Sequence, residues 1–234
     1  MGDLDRGWIP WHVFILTCLY CLVPSIALYI GGTYIDEPWI LILVIHWIIM
    51  VLIPWIFVEV FHFYRYGEFN YFYSSFGSSQ DFTGLIMALV FAGIVVLIYW
   101  LCCGPLGYDL KSTVQQFPLS DNDFLKILEI AYFILIKPHV EEFFWRNYNY
   151  EIFGINEFYF LLVSFFWALT YTVIALLAGA ELMWALIICA IFIALGRYLI
   201  WVRWKYECFA NYAVHCGICL GVIICYFLAD AGKF

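Results

Sequence analysis

Residues 85–103 read LIMALVFAGIVVLIYWLCC, a stretch without a single charged side chain. An α-helix needs about 20 predominantly apolar residues to cross the hydrocarbon core of a bilayer, and this stretch is long enough to do so. The whole chain of 234 residues is also strongly apolar: 66% of its residues are hydrophobic and only 12% are charged. Soluble domains are about 45–50% apolar and about 25% charged. The composition therefore excludes a soluble enzyme and a disordered chain, and it predicts one integral membrane domain over residues 1–234.

Apolar runs on both sides of that stretch predict an all-α fold, a polytopic transmembrane helical bundle of seven or eight helices. Three of the helices and a polar loop belong to residues 1–123. The number depends on Pro138, because a proline inside a helix removes a hydrogen bond and clashes with the preceding turn. The predicted helices cover residues 11–30, 39–63, 85–103, 124–153, 158–178, 182–201 and 208–229, and the polar loop covers residues 64–82.

The first predicted helix lacks a basic segment before it and a small-residue cleavage site after it, so we expect a retained helix and not a signal peptide. The net charge is −8 and basic residues form no run, which argues against a nucleic-acid partner. Lys and Arg are more frequent on one side of the predicted bundle, which favours an N-terminus on the cytoplasmic or matrix-equivalent face. That side holds Arg6, Arg65, Arg146, Arg197, Arg203 and Lys205, and the other holds Lys111, Lys126 and Lys233.

Nine cysteines are present, most of them inside apolar stretches, where thiols pack as small hydrophobic groups. Two pairs, Cys18/Cys21 and Cys216/Cys219, have the C-x-x-C spacing. Residues three apart share a helix face, so a metal-binding or redox pair is the alternative interpretation of each.

Residues 141–146, EEFFWR, place three charges in a helix of otherwise membrane-like sequence. A charge at membrane depth costs about 2.5–3.5 kcal/mol and therefore needs a partner. Glu142 and Arg146 are four residues apart and can pair on one helix face. Glu141 is rotated by about 100° and needs a partner elsewhere in the bundle. The alternative is an interfacial helix end, where these side chains reach the headgroups.

The Glu-Glu-x-x-x-Arg pattern resembles the first motif of the CPBP family, which includes the type II CAAX prenyl endopeptidases and the bacteriocin-processing proteases. The family's second motif, Phe-x-x-x-His, is matched in the next helix by Trp167 and Tyr171. Its third motif, His-x-x-x-Asn, is matched in the last helix by His215 and Cys219. The resemblance covers residues 124–230. It implies a site that holds a water for metal-independent peptide cleavage inside the membrane, formed at Glu141, Glu142, Arg146, Tyr171, His215 and Cys219.

Two of these positions depart from the family pattern in a way that affects the chemistry. Tyr171 stands where the family has histidine, and a tyrosine donates a hydrogen bond but is a poor base at neutral pH. Cys219 stands where the family has asparagine, and a thiol is a weak hydrogen-bond partner. Loss of one donor at a developing oxyanion costs about 10²–10³ in rate. We therefore expect a CPBP-like protein without protease activity.

Three functions follow as hypotheses. The first is an accessory or scaffolding subunit of a membrane protein complex, with the bilayer and other membrane subunits as partners and no cofactor. The second is a glutamate-dependent intramembrane endopeptidase acting on prenylated or other membrane peptides. The third is a metal- or haem-binding subunit, in which metal would use Glu59/His62 or His139/Glu142, and haem would use His46 with His12, His62 or His215.

Overall fold

The computed structural model describes residues 11–34, 38–66, 81–103, 118–149 and 157–232, and every regular element within them is helical. We number the helices α1 to α6. Helices α2 and α4 each consist of consecutive α-helical and π-helical segments. The bounds are Trp11–Tyr34 for α1; Pro38–Val44, Ile45–Leu52 (π) and Ile53–Tyr66 for α2; Asp81–Cys103 for α3; Asp123–Ala131, Tyr132–Ile136 (π), Lys137–Glu142 and Phe143–Tyr148 (π) for α4; Glu157–Leu177 for α5; and Leu182–Asp230 for α6.

Six helical stretches among the described residues are long and apolar enough to cross a membrane. The chain is therefore an all-α, multi-pass integral membrane protein, as its sequence predicts. The number of apolar spans is lower than the predicted seven or eight helices, because α4 carries too many charged residues to count as an apolar span. The six stretches are Phe14–Tyr34, Ile40–Phe57, Gly84–Cys103, Glu157–Leu177, Leu182–Arg203 and Phe209–Asp230.

Pro138 does not break α4, which continues through it into the segment Lys137–Glu142. The π-helical segment before the proline provides the reason. The N–H of Lys137 donates to the carbonyl of Tyr132, five residues back, so the turn is wider than in an α-helix. A wider turn leaves room for the proline ring beside the preceding carbonyls. The alternative of an eighth helix created by this proline is wrong.

The predicted loop at residues 64–82 is shortened at both ends, because α2 extends to Tyr66 and α3 begins at Asp81. The rest of that loop, at residues 67–80, lies outside the described residues. The predicted continuation of the fourth helix over residues 150–153 also lies outside them.

Helix α6 folds back on itself within its continuous helical run. The ring of Trp167 on α5 lies 5.1 Å from the ring of Phe192 and 5.5 Å from the ring of His215. A straight helix rises 1.5 Å per residue and would separate Phe192 from His215 by about 34 Å. The run must therefore turn between its two spans, which we call the first arm (Leu182–Arg203) and the second arm (Phe209–Asp230).

Small residues bring the second arm against α3. A Cβ atom added to Gly217 would lie 2.0 Å from the carbonyl oxygen of Ala88, and one added to Gly221 would lie 2.7 Å from the Cβ of Val95. Small residues at such a contact let two membrane helices approach backbone to backbone. The close contact sets the position of the second arm, which carries His215 and Cys219 into the bundle.

Candidate functional site

Helix α4 holds four charged side chains within three turns, and all four are buried. Lys137, Glu141, Glu142 and Arg146 are between 3% and 6% exposed. Their spacing produces two ion pairs along the helix, with Lys137 Nζ 2.8 Å from Glu141 Oε1 and Arg146 Nη1 3.0 Å from Glu142 Oε1. One ammonium and one guanidinium thus balance two carboxylates inside the bundle. A buried charge is tolerated when it is paired in this way.

Glu141 receives hydrogen bonds from side chains of α5 in addition to its ion pair. The indole Nε1 of Trp167 donates to Oε2 at 2.9 Å. The hydroxyl of Tyr171 lies 2.8 Å from Oε2 and 3.0 Å from Oε1 and donates to the carboxylate. Lys137 also donates to this hydroxyl. A carboxylate offers about four acceptor positions, and the chain's own donors take most of those of Glu141.

Glu142 connects α4 to the second arm of α6. His215 Nδ1 lies 2.6 Å from Glu142 Oε1, and the Asn211 side-chain amide donates to Oε2. Both residues are 1% exposed. With the Arg146 pair, Glu142 therefore binds a cation, an imidazole and an amide at once. The ring of Trp167 covers the Arg146 guanidinium at 4.2 Å, which adds a cation–π contact.

His215 lies between the two carboxylates. Its Nδ1 faces Glu142 as described, and its Nε2 lies 3.5 Å from Glu141 Oε2. A second histidine, His46 of α2, lies on the other side of Glu141, with its Nε2 3.8 Å from Oε1. Nδ1 of His46 is hydrogen-bonded to the Tyr132 hydroxyl at 2.9 Å. The network thus joins α2, α4, α5 and α6.

Cys219 lies one helical turn after His215 on the second arm and is 3% exposed. Its sulfur is 4.0 Å from Lys137 Nζ, a separation within the range of a hydrogen bond to sulfur. The six residues named by the resemblance therefore lie in one connected group, with Trp167 among them. Lys137 links Cys219 and Tyr171 to Glu141.

Four members of this network were missed by the sequence analysis: Lys137, the indole donor of Trp167, Asn211 and the contact of His46. Two of them had a signal. Lys137 precedes Glu141 by four residues, and Asn211 precedes His215 by four, so each pair shares a helix face. The roles of Trp167 and His46 depend on contacts between helices, for which one sequence carries no signal.

The alternative metal and redox sites can be compared with this geometry. Within the described ranges, no group of three or more His, Cys, Asp or Glu side chains is arranged to hold a metal ion. The side chain of His62, a candidate for both the metal and the haem site, lies outside the described residues. The haem candidates His46 and His215 each lie beside Glu141. Glu142 of the His139/Glu142 pair is bound to Arg146 and His215. The cysteines of both C-x-x-C pairs are free thiols, and Cys21 donates to the side-chain oxygen of Asn149 at 3.2 Å.

No family model, curated protein or solved structure matches this chain. Its function is therefore inferred from the chemistry of the site. That chemistry is a set of paired charges, donors and acceptors from four helices, in which the ring of Trp167 contacts Phe192.

Proposed function

We propose that this protein is a CPBP-like membrane protein that lacks glutamate-dependent protease activity and serves as an accessory or scaffolding subunit of a membrane protein complex. The observation that carries the proposal is that donors of the chain itself already bind the carboxylate of Glu141. A glutamate that acts as general base must accept a proton from a positioned water within hydrogen-bond reach. In this chain Lys137, Trp167 and Tyr171 direct their donors at the same carboxylate.

The balance of charge supports the same proposal. Removing one partner of a buried ion pair costs about 3–5 kcal/mol, because it leaves a buried charge without compensation. Moving Glu141 from Lys137 toward a substrate would begin with such a loss. A network of this kind is suited to hold four helices in one arrangement, which is what a scaffolding subunit requires.

The membrane-facing surface supports a role in assembly. Within the span Gly84–Cys103 only Gly84 and Ala92 are buried within the chain, although the span packs against the second arm on one side. The remainder of α3 offers a long apolar face to lipid or to another membrane helix. Subunits of membrane complexes associate through faces of this kind, by van der Waals packing and not by the hydrophobic effect.

The protease part of the proposal is tested by peptide hydrolysis. The purified protein in lipid nanodiscs is incubated with a panel of prenylated peptides, and products are measured by mass spectrometry. We expect the native chain and Glu141→Gln to give the same background. Glu181→Gln, which alters an exposed glutamate, is the matched control. Hydrolysis that disappears in Glu141→Gln and persists in Glu181→Gln would overturn the proposal.

The assembly part of the proposal is tested by the mass of the particle that contains the chain. Native membranes are solubilised in a mild detergent, and the size of the particle that contains the chain is measured by native electrophoresis and crosslinking mass spectrometry. We expect a particle larger than one 27.5 kDa chain, with defined protein neighbours. A single chain in detergent, recovered without crosslinks, contradicts a scaffolding role.

The second candidate is the glutamate-dependent endopeptidase itself. The observation in its favour is that His215 contacts both carboxylates. Its Nε2 lies 3.5 Å from Glu141 Oε2, and its Nδ1 lies 2.6 Å from Glu142 Oε1. The hydrolysis experiment above distinguishes the two candidates directly.

A further inference from the structure

Glu142 binds two buried side chains whose hydrogen bonds are incomplete. Arg146 of α4 forms the ion pair at 3.0 Å, and the amide of Asn211 on the second arm donates to Oε2. Arg146 is 3% exposed and Asn211 is 1% exposed. Each of them nevertheless carries polar atoms that pair with no group of the described residues. The contact between α4 and the second arm therefore has hydrogen-bonding capacity in its interior that the chain does not use.

The unpaired atoms of Arg146 are donors. Nη1 lies close enough to Glu142 for an ion pair but lacks the alignment of a hydrogen bond, and Nη2 has no acceptor among the described residues. The ring of Trp167, 4.2 Å from the guanidinium carbon, contributes a cation–π contact. That contact stabilises the charge but gives the N–H groups no lone pair to donate to. A buried donor in this condition is costly unless another molecule accepts its proton.

The unpaired atom of Asn211 is an acceptor. The amide turns Nδ2 toward Glu142, because an ionised carboxylate only accepts hydrogen bonds. Oδ1 must then point away from the carboxylate, and no donor of the described residues reaches it. Exchanging the two ends of the amide would place its oxygen against the carboxylate oxygen. The unpaired acceptor therefore follows from the contact with Glu142.

The donors and the acceptor lie near each other, since Arg146 and Asn211 bind the two oxygens of one carboxylate. Two hydrogen bonds of about 2.8–3.0 Å through one water span about 5–6 Å, which matches the scale of such a separation. Their chemistry also selects the ligand. An anion could not donate to Oδ1 and would be repelled by Glu142, whereas a cation would be repelled by Arg146. The ligand must be a neutral molecule that both accepts and donates.

We propose that Arg146 and Asn211 hold a buried water molecule beside Glu142. The inference goes beyond the proposed function and does not depend on it. The enclosure of both side chains favours the smallest neutral molecule with a donor and an acceptor, and buried waters typically make about three hydrogen bonds to such groups. The water accepts from Arg146, donates to Oδ1 of Asn211, and has a second O–H for Glu142. It thereby bridges α4 and the second arm at a position that includes Asn211, which is not among the six residues named by the resemblance.

The test is magic-angle-spinning NMR of the full chain in lipid bilayers, with nitrogen-15 in the side chains of arginine and tryptophan. Magnetisation is transferred from water protons to nitrogen, and at short mixing times only a nitrogen beside a water gains signal. The contact between the guanidinium and the Trp167 ring assigns both signals in the native chain. We expect transfer from water to the Nη atoms of Arg146. We expect none to Nε1 of Trp167, which is equally buried but donates to Glu141 at 2.9 Å.

The chemical shift of the transferring proton distinguishes water from a lipid hydroxyl. Transfer to Arg146 from lipid protons would overturn the proposal, because the ligand would then be a lipid. Absence of any transfer to Arg146 from outside the chain would overturn it as well. Both outcomes are read from the native protein, so neither depends on whether a variant folds.

Two variants on the second arm provide the controls. Asn211→Leu removes the acceptor at nearly the same side-chain size and should abolish the transfer from water to Arg146. Cys225→Ala lies about 21 Å further along this arm and should leave the transfer unchanged. Transfer of native strength in Asn211→Leu would show that Asn211 does not hold the water, and it would overturn the proposed site.

Discussion

Lys137 Nζ and Glu141 Oε1 lie 2.8 Å apart, one helical turn from each other on α4, with both side chains almost entirely buried. Each charge would be costly alone at this depth, and together they add no net charge to the bundle. Glu142 and Arg146 form a second pair with the charges in the reverse order, beginning at the residue after Glu141. Helix α4 therefore carries its own counterions and does not need lipid headgroups or ligands to neutralise its carboxylates.

Substitution of Lys137 by methionine is expected to lower the free energy of unfolding by about 3–5 kcal/mol. Methionine keeps the length of the side chain and removes the charge, so Glu141 is left without its counterion. The double variant Lys137→Met/Glu141→Gln should recover much of the loss, because it buries neither charge. Thermal unfolding in one detergent, followed by fluorescence, measures the Tm of each variant. Equal Tm values for the single and double variants would show that the unpaired charge of Glu141 does not destabilise the Lys137→Met variant.

The sequence was sufficient for the membrane fold, since runs such as residues 85–103 can be explained only by a bilayer. It was less accurate for α4, whose charged residues exclude it from the apolar spans although it lies inside the bundle. The predicted boundary between the sixth and seventh helices corresponds to the turn inside α6. That turn became visible only through the shared contact with Trp167, which no local pattern encodes.

The site was partly predictable for a similar reason. The pair Glu142/Arg146 follows from spacing within one helix, and the spacing of Lys137 would have predicted the partner of Glu141 by the same rule. The contacts of His46 and Trp167 with Glu141 join residues of different helices. Such contacts depend on how the helices rotate and approach, which packing decides after the helices have formed.

Introducing the histidine and asparagine of the CPBP motif is expected to produce no hydrolysis of peptides. The double variant Tyr171→His/Cys219→Asn supplies the histidine and asparagine that the CPBP pattern contains. Lys137 and Trp167 still donate to Glu141 in that variant, so the carboxylate remains occupied. Hydrolysis of prenylated peptides, measured as above, should stay at the background of Glu141→Gln. Activity in the double variant would mean that Lys137 and Trp167 do not block the carboxylate.

Substitution of Trp167 by phenylalanine tests the indole donor separately from the ring. Phenylalanine keeps an aromatic surface for Arg146 and His215 and removes the N–H that donates to Glu141 at 2.9 Å. Loss of a hydrogen bond to a buried charged group costs about 1.5–3 kcal/mol, so a lower Tm is expected. Phe192→Leu, which alters a ring that contacts Trp167 without donating, gives the cost of repacking alone. A drop no larger than that of the control would assign Trp167 a packing role only.

The close contact of α3 with the second arm predicts opposite outcomes for two glycines on these helices. Gly217→Ala places a Cβ 2.0 Å from the carbonyl oxygen of Ala88, so the helices must separate, at a cost of about 1–3 kcal/mol. Gly93→Ala meets no atom within 4 Å, and alanine is favoured over glycine in a helix by about 1 kcal/mol. We expect Gly217→Ala to lower the Tm and Gly93→Ala to leave it unchanged or raise it. Because both substitutions gain the same helix propensity, the difference between their Tm values reports the steric contact alone. If the two variants had the same Tm, the backbone approach of α3 to the second arm would not exist in the membrane, and His215 would lack the helix contact that places it between Glu141 and Glu142.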